Sequence, residues 1–457
     1  MAIGRRLFIL HPASFLHEVI RLLRLALPII VSQLGQVGMT TADTIMVGRL
    51  GAQALAAAGL GHALHFLGII FSVGVITGLA PIVSQAFGAG DTNRARHAVV
   101  QGLWISLFLS VPVVLMNWMG REVASLLGQD AAVSALAGAY MRALAWGVPG
   151  WFLFVALRQY LEAVNRPTVP MVVTFIGLMV NIGANRVLIY GIDGFVPAFG
   201  VVGSGYATSI VRWTMLFILI VWVFLHPQLR PSGSVRRSPD RRMIARILDV
   251  GVPIGGQFAL EVGLFSFAAV MIGWLGAAEL AAHQVTINIA STTFMVALGT
   301  SIAGSVRVGQ HIGAQRTHAM RRAALATYLL ATGFMALCAL LFLLAPRALI
   351  GLYTSDDELL VIGSRLLMVA AAFQVFDGAQ VAGMGVLRGA GDTRIPMLIA
   401  GLGYWGFGVP VGYVLAFVLD LGAVGVWIGL SAGLAVVGIL LALRARGVLS
   451  MAQQRRV

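Results

Sequence analysis

The chain has 457 residues, of which 59% are hydrophobic and 11% are charged, and its formal net charge is +14. A soluble globular protein of this length cannot bury so much apolar surface, so the composition excludes that class and is typical of a polytopic membrane protein. The positive charge comes from arginine, because the chain has no lysine. A Walker A loop requires a lysine, so the chain is not its own ATPase.

Apolar stretches of about 20 residues or more recur along the whole length and predict about twelve transmembrane helices. In the first half they are predicted over residues 19–48, 53–79, 95–118, 133–157, 168–190 and 202–226. In the second half they are predicted over residues 244–274, 279–305, 318–344, 359–387, 395–418 and 424–444. The predicted fold class is therefore an all-α polytopic membrane protein.

One long polar connection, rich in Pro, Ser and Arg, interrupts this series of helices. It divides the chain into a predicted N-terminal six-helix lobe (1–226), a cytoplasmic basic linker (227–243) and a C-terminal six-helix lobe (244–457).

The arginines concentrate in every second connection between the predicted spans. Arg158, Arg307 and Arg388 are assigned to such connections, whereas the alternate connections carry few arginines, such as Arg49 and Arg121. This asymmetry is the positive-inside pattern, and it predicts that both termini and the linker are cytoplasmic. Because the arginines lie in short connections and not along one face, the net charge does not indicate nucleic-acid binding.

The two halves of the chain repeat each other. When the first half is shifted by 225 residues, Pro28 falls on Pro253 and Gln85 falls on Gln310, with no gap between the two matches. An even number of spans per half lets both halves enter the membrane from the same side, so a pseudo-twofold axis along the membrane normal should relate them. The substrate site is then expected between the halves, near the middle of the membrane.

Three acids lie inside predicted spans: Asp43, Glu261 and Asp377. A charged residue at the bilayer centre costs about 2.5–3.5 kcal/mol on insertion scales, and such residues usually line a cavity and bind something. The repeat places Asp43 opposite Ala268 and Glu261 opposite Gln36, so the acids are not required by the fold of each lobe. The pattern favours an ion- or proton-coupled transporter.

Polar residues near Asp43 define a candidate chamber in the first half. Gln36 and Asp43 are seven residues apart and share a helix face. Asn181 and Asn185 stand at i, i+4 on the fifth span and are candidates for the same chamber. The competing interpretation is hydrogen bonding between helices for structure alone.

The second half offers its own polar faces. Gln257 and Glu261 are four residues apart on the seventh span, and Asp377 and Gln380 are three apart on the tenth. Glu261 and Asp377 could share a Na⁺ site, since oxygen ligands suit hard cations, or a buried carboxylate could carry a proton. The competing interpretation is an ion pair with an intramembrane arginine, the candidates being Arg142, Arg186, Arg212 and Arg365.

The eighth span carries a further polar pair. Gln284 and Asn288 stand at i, i+4 and either line a cavity or bond to another helix. His283, next to Gln284, is more typical of a hydrogen-bonded helix residue than of a metal ligand.

The motif Gly-Ala-Gly-Asp-Thr occurs twice, at residues 88–92 and 389–393. Gly-x-Gly-Asp is also found in intramembrane aspartyl proteases, which need two aspartates on one catalytic water. Both copies stand beside arginines at predicted helix reversals, where Gly supplies a positive φ and Asp or Thr caps the next helix. The turn interpretation is favoured.

These features together resemble the multidrug and toxic compound extrusion (MATE) family over nearly the whole chain. The resemblance is carried by Pro28 with Gln33, the run Asp43-Thr-Ile-Met-Val-Gly48, Gln85-x-x-Gly88-Ala89, Glu261, Ala-Ala-His283-Gln284, and Asp377 with Leu387-Arg388-Gly389. The chain looks like the NorM branch, because its second lobe carries both Glu261 and Asp377. The DinF-like branch relies on an acid beside Asn on the fifth span, where this chain has no acid, which does not favour a cation site made wholly in the first lobe.

The resemblance implies two six-helix lobes, alternating access, and export of cationic amphipathic compounds in antiport with Na⁺ or H⁺. By position, Asp43, Glu261 and Asp377 would be the coupling acids, with Glu261 and Asp377 a possible Na⁺ site. The chambers would be lined by Gln36, Asn181, Asn185, Gln257, Gln284, Asn288 and Gln380.

The resemblance further implies a multi-pass protein of the bacterial plasma (inner) membrane that is not an enzyme. Its partners would be the lipid bilayer and lipophilic cations, with no cofactor beyond the coupling ion and no ATPase subunit. Because the duplication puts both lobes in one chain, we expect a monomer.

Two other functions compete with this one. A flippase for a lipid-linked oligosaccharide, from the same superfamily, would need a large cationic cavity for a phosphate, and this chain offers acids there. An intramembrane aspartyl protease would need Asp392 as one of its two catalytic aspartates.

Overall fold

The computed structural model describes residues 12–230 and 235–454, and these are almost entirely helical. In the first half the helices are α1 Pro12–Gly48, α2 Ala52–Thr77, α3 Leu79–Gly88, α4 Thr92–Trp118, α5 Gly120–Leu126, α6 Ala131–Ala145, α7 Val148–Ala163, α8 Thr168–Tyr190 and α9 Val201–Leu225. In the second half they are α10 Arg241–Gly273, α11 Ala277–Gly313, α12 Thr317–Leu344, α13 Pro346–Gly351, α14 Asp357–Ala390, α15 Arg394–Gly401, α16 Val409–Tyr413 and α17 Gly422–Gln454. Two π-helical stretches, Leu402–Gly408 and Val414–Val418, flank α16.

Within the described residues, ten helices are long and apolar enough to cross a membrane, and a bent pair brings the number to as many as eleven. The helix α1, where the first span is predicted, is 37 residues long and is not among these. The prediction of an all-α polytopic membrane protein is confirmed.

The bent pair corresponds to the fourth predicted span. Its two helices, α6 and α7, meet at an angle of 48°. Gly147 caps the second helix and Pro149 stands in its first turn. Proline lacks the N–H that would continue the hydrogen-bond ladder of the preceding helix, so the bend has a local cause in the sequence.

The described residues form two compact units. The N-unit contains Val31–Phe87 and Asp91–Gly255, and the C-unit contains Gly256–Val457, Gly88–Gly90 and the chain up to Ile30, as far as these are described. The units thus divide inside α1 and α10, two residues after Pro28 and two residues after Pro253. A proline inside a helix weakens the ladder at this point, which allows the two parts of one helix to pack in different units. The predicted lobe limits stay a prediction.

The 225-residue repeat is visible as repeated contacts inside each unit. In the N-unit a Cβ on Gly74 would lie 2.5 Å from the Cα of Gly255, and in the C-unit a Cβ on Gly299 would lie 3.0 Å from the Cα of Ile30. Gly299 is the repeat partner of Gly74, and Gly255 is the repeat partner of Ile30. The same close approach between helices is therefore built twice.

Residues 237–240 of the linker bond to α4, while residues 231–234 of it lie outside the described residues. The indole N–H of Trp104 donates to the carbonyl oxygen of Arg237 at 2.9 Å. The side chain of Gln101 donates to the carbonyl of Ser238 at 3.1 Å and accepts from the N–H of Asp240 at 2.8 Å. These bonds give hydrogen-bond partners to backbone N–H and C=O groups of the linker, which lack the pairing that a helix would provide.

A buried ionic cluster holds the start of α1 in the C-unit. Arg307 on α11 donates to both carboxylate oxygens of Glu18, at 2.8 and 2.9 Å, and the ring of His311 lies 3.2 Å from Glu18. Glu18 and Arg307 are both buried. Arg307, which the sequence assigned to a connection, in fact lies inside a helix, because this carboxylate compensates its charge.

The pKa of Glu18, which precedes the first predicted span, is set by two opposing effects. Burial alone would raise this pKa, but the hydrogen bond with His311 and the charge of Arg307 outweigh burial and hold the pKa below its ordinary value. The carboxylate is therefore ionised in the folded protein at neutral pH. Its contribution to stability is present above the unfolded-state pKa and is lost as the pH falls through the lowered folded-state pKa.

We expect Glu18→Gln to destabilise the C-unit by about 3–5 kcal/mol, because it leaves the buried Arg307 uncompensated. Thermal unfolding in detergent measures the loss. The matched control is Glu122→Gln at an exposed position, which should leave the unfolding temperature unchanged. Equal unfolding temperatures for the two variants would contradict a structural role for this ion pair.

Candidate functional site

The first acid, Asp43, is held by neutral hydrogen-bond donors from two other helices of the N-unit. The side-chain amides of Asn181 and Asn185 on α8 donate to its Oδ1 at 3.0 and 2.5 Å. The hydroxyl of Thr208 on α9 donates to its Oδ2 at 3.4 Å. The i, i+4 spacing of the two asparagines puts both amides on the α8 face that meets α1. The structure thus brings together three of the four residues that the sequence proposed for one chamber, namely Asp43, Asn181 and Asn185.

The Asp43 cluster also holds buried acceptors that have no hydrogen-bond donor. The side-chain oxygens of Asn181 and Asn185 are both buried and lack a partner. A half-turn of either amide about its last side-chain torsion would bring its oxygen to the carboxylate. The ligands that the cluster can offer to a hard cation are therefore the side-chain oxygens of Asp, Asn and Thr.

Thr208 was not identified from the sequence. It lies in the sixth predicted span, and it reaches Asp43 only because α9 packs beside α8. The sequence gives one indication of its role: Thr208 stands four residues before Arg212 in the same predicted span, so the two residues share one helix face.

Gln36 lies two turns before Asp43 on the same helix. It is half-buried, and its side-chain N–H group has no acceptor. Among the described residues no hydrogen bond joins it to the carboxylate, so its place in the chamber stays a prediction.

A second polar cluster in the N-unit surrounds Arg212, which the sequence listed as a possible partner for the second-half acids. Both terminal nitrogens of its guanidinium lie 3.2 Å from Nε2 of His65. The ring of His65 bonds Asn117 at 2.8 Å, and the guanidinium stacks on Trp151 at 5.7 Å. The charge of Arg212 acts on Asp43, which lies in the same unit.

In the C-unit, Gln380 connects the two remaining acids. Its side-chain amide donates to Asp377 at 3.5 Å and lies within hydrogen-bonding reach of Glu261. The hydroxyl of Tyr404 donates to the oxygen of the same Gln380 side chain. Asp377 and Gln380 are buried, while Glu261 is half-buried. The predicted pairing of Glu261 with Asp377 in one region is consistent with the charge of Glu261 acting on Asp377.

The cation nearest to this pair is Arg388, which the sequence had assigned to a connection. It lies in the last turn of α14, is 5% exposed, and stacks over Phe258 at 5.5 Å. Its charge acts on Glu261. Within the described residues, no ion pair shorter than 4.0 Å joins an arginine to either Glu261 or Asp377. Arg365, the arginine of the competing interpretation that lies in the same unit, therefore forms no ion pair with these acids in the part of the chain that the structure describes.

The remaining predicted lining residues lie apart from these clusters. Gln257 is buried, and its amide contacts the sulfur of Met384. Gln284 and Asn288 are both exposed, and Asn288 accepts a hydrogen bond from the hydroxyl of Tyr353 at 3.0 Å. Their role as lining residues stays a prediction.

The two Gly-Ala-Gly-Asp-Thr motifs are helix reversals. Gly90 and Gly391 have φ of 78° and 81°, and Asp91 caps α4 by accepting from the N–H of Arg94 at 2.9 Å. Asp392 accepts from Arg444 at 2.7 Å, which engages its carboxylate in an ion pair. The turn interpretation of the motif is the one the geometry supports.

None of the described residues forms a group of three or more His, Cys, Asp or Glu that could hold a metal ion. The acid clusters are instead built from a carboxylate with amide and hydroxyl neighbours. Such sites suit a proton or a weakly bound hard cation rather than a transition metal.

The sequence was compared with known protein families and curated proteins. The MatE family model matches residues 28–187 and 253–414. A probable multidrug resistance protein NorM of Bradyrhizobium diazoefficiens is 39% identical over 436 residues, which cover 94% of this chain and 93% of that protein. The protein of the same name from Rhodopseudomonas palustris is 40% identical over 93% of this chain and 91% of its own length.

Solved structures with the same fold are more distant in sequence. A eukaryotic MATE transporter has a TM-score of 0.87 at 20% identity, with 97% of this chain and all of that chain (100%) covered. The Vibrio cholerae MATE transporter VcmN has a TM-score of 0.88 at 19% identity, with 96% and 98% covered. At these identities the likeness establishes the fold alone.

We expect Tyr404→Phe to destabilise the C-unit by about 1–3 kcal/mol, because it leaves the buried oxygen of Gln380 without a donor. The measurement is thermal unfolding in detergent. Tyr413→Phe is the matched control, since Tyr413 is 48% exposed and its hydroxyl can bond to the surroundings. A Tyr404→Phe variant as stable as this control would show that the hydrogen bond is not formed.

Proposed function

The chain belongs to the MatE family of transporters, and from this membership and its two acid clusters we propose that it is a secondary active multidrug efflux transporter. It exports cationic amphipathic compounds in antiport with Na⁺ or H⁺ by alternating access. It is a multi-pass membrane protein and not an enzyme. We further propose that it resides in the bacterial inner membrane with both termini cytoplasmic and that it works as a monomer.

The observation that carries this proposal is the way each acid is held. Among the residues that the structure describes, Asp43 bonds to the neutral groups of Asn181, Asn185 and Thr208, and Asp377 bonds to the neutral amide of Gln380. A carboxylate that served structure alone would be expected to carry an ion pair, as Glu18 does with Arg307. Carboxylates held by neutral groups in an apolar region remain available for a cation from outside the protein.

Antiport follows if drug and coupling ion need the same ionised acids. Binding of one then weakens binding of the other, which is a negative coupling of about 1–3 kcal/mol, or about 5–150-fold in affinity. A cation that enters from outside displaces the drug, and the change of access resets the site. The apolar walls of the spans supply a surface for the rings of an amphipathic drug.

The flippase alternative needs a surplus of positive charge for a phosphate. The two arginines of the polar clusters, Arg212 and Arg388, each act on a carboxylate, Asp43 and Glu261 respectively. Their charges are thus offset, so nothing in the polar clusters favours an anionic headgroup over a cationic drug.

The function is tested by efflux of a cationic dye from proteoliposomes under an imposed Na⁺ gradient and, separately, an imposed pH gradient. We expect one gradient to drive efflux in the wild type and Asp377→Asn to reduce this efflux about tenfold or more, because the variant cannot exchange a cation at this position.

The matched control for this assay is Asp392→Asn, whose carboxylate is engaged by Arg444 at a helix reversal. It should retain efflux, and a retained rate would also dismiss the protease alternative. If neither gradient drives efflux in the wild type, the proposal of antiport is wrong, and translocation of a lipid-linked oligosaccharide becomes the assay to run.

Mutual exclusion can be measured at equilibrium. We expect the apparent affinity for the dye to fall about 5–150-fold when the coupling ion is raised from far below to far above its own dissociation constant. Fluorescence titration of the purified protein in detergent measures this change. A dye affinity that is independent of both Na⁺ and pH would contradict competition for the acids.

A further inference from the structure

The chain of hydrogen bonds behind Arg212 has only one consistent arrangement of protons. The side-chain N–H of Asn117 donates to the carbonyl oxygen of Val113 at 2.7 Å, so the side-chain oxygen of Asn117 faces His65. That oxygen can only accept, so Nδ1 of His65 carries the proton. Nε2 of a neutral His65 is then a bare acceptor, and it faces the two N–H groups of Arg212.

His65 is therefore a neutral ring that binds a guanidinium. A protonated His65 would direct an N–H at the positively charged Arg212, which geometry and charge both oppose. His65 and Asn117 are among the most buried polar residues of the N-unit, at 1% and 0% exposed. Burial fixes the ring and thereby fixes the guanidinium that it holds.

Arg212 is close to Asp43 and yet not paired with it. Thr208, which bonds Asp43, lies one helical turn before Arg212 on the same face of α9. The charge of Arg212 acts on Asp43, but among the described residues no ion pair within 4.0 Å joins the two side chains. The other ionisable groups that interact with Arg212 are His62 and Tyr140.

We propose that His65 is a positioning residue of the Asp43 site. It holds the guanidinium of Arg212 near enough to offset the charge of the carboxylate and too far to form an ion pair with it. Asp43 thus stays available for a cation from outside the protein, and Arg212 is a tethered counterion rather than a competitor. This inference rests on the proposed function, since it assigns Asp43 to the exchange of a coupling cation.

Removal of the tether has a specific consequence. In His65→Ala the guanidinium loses the acceptor of two hydrogen bonds in a buried region, where an unsatisfied charge is costly. The carboxylate of Asp43 is the negatively charged group within its reach, and an ion pair with it would occupy the site. The same variant with Arg212→Met has no guanidinium to form this pair.

The test compares ion-driven dye efflux in wild type, His65→Ala, His65→Ala/Arg212→Met and His65→Gln. We expect His65→Ala to lose efflux about tenfold or more, the double variant to recover most of it, and His65→Gln to retain it, because the Gln side-chain oxygen can accept from Arg212. A residue needed for structure alone would not be rescued by a second buried truncation. Full efflux in His65→Ala, or no recovery in the double variant, would overturn the inference.

Two further measurements separate a positioning role of His65 from a loss of folding and from a failure of the proposed function. Size-exclusion profiles establish folding, and should His65→Ala not fold, His65→Leu against His65→Gln gives the same comparison. A hydrophobic carbodiimide takes up the proton of a carboxylic acid on nitrogen while the carboxyl oxygen adds to its central carbon, so it reacts with the protonated acid. It reports directly on Asp43 when the labelled peptide is located by mass spectrometry.

We expect labelling of Asp43 to be weaker in His65→Ala, where the ion pair keeps the acid deprotonated, than in wild type and in the double variant, which lack this pair. This readout needs no transport. Wild type without ion-driven efflux but with this labelling pattern would defeat the proposed function and leave the positioning role of His65 standing. Equal labelling in all variants would defeat the positioning role.

Discussion

The structure depends on how its buried carboxylates are compensated. A charge in an apolar region must be paired, hydrogen-bonded or neutralised, and this chain uses the first two solutions in different places. Glu18 and Glu162 are paired directly, with Arg307 at 2.8 Å and with Arg158 at 2.7 Å. The Glu18–Arg307 pair joins α1 to α11, and the Glu162–Arg158 pair lies within α7.

Asp43 and Asp377 are compensated by hydrogen bonds instead of ion pairs. Their hydrogen bonds come from amides and a hydroxyl, which can be withdrawn or turned at a far smaller cost than an ion pair can be broken. The nearest arginines stay at a distance, and in the case of Arg212 a neutral histidine provides the alternative partner. The difference between a structural acid and an exchangeable one is thus a difference in the charge of its first neighbours, and this difference can be read directly from the contacts.

The sequence predicted those features that follow from periodicity and composition. The all-α membrane fold, the repeat and the approach of Asn181 and Asn185 to Asp43 needed only hydropathy and the helical period. Thr208 and His65 could not be predicted in this way, because their roles depend on which helices pack together. Tyr404 reaches Gln380 from a π-helical stretch, a local geometry that no simple sequence signal marks.

The errors in the sequence interpretation have a common physical cause. The predicted spans end shortly before Arg158, Arg307 and Arg388, which were therefore placed in connections, although all three are buried within helices. The charges of Arg158 and Arg307 are each compensated by the carboxylate of a neighbouring glutamate. Arg388 lies one residue before Gly389, whose lack of a side chain lets α14 approach the backbone at Ser305 and continue into a buried region.

The repeat preserves contacts and not chemistry. Leu79 packs on Gly102 in the N-unit, and at the matching positions of the C-unit Gly304 packs on Thr327, so the contact is kept while the small residue changes sides. Polar positions diverge further. Later in the chain the repeat shift is 226 residues, which puts Pro170 on Pro396, and at this shift Arg388 stands where the N-unit has Glu162.

The same duplicated frame of helices therefore carries opposite charges at equivalent places. A frame that tolerates such reversals is not what requires Asp43 or Asp377, because packing alone would accept an apolar residue at either position, as it does with Ala268 opposite Asp43. Each unit thus keeps its own acid cluster at a cost that the fold does not demand, and the proposed exchange of a cation at these acids accounts for that cost.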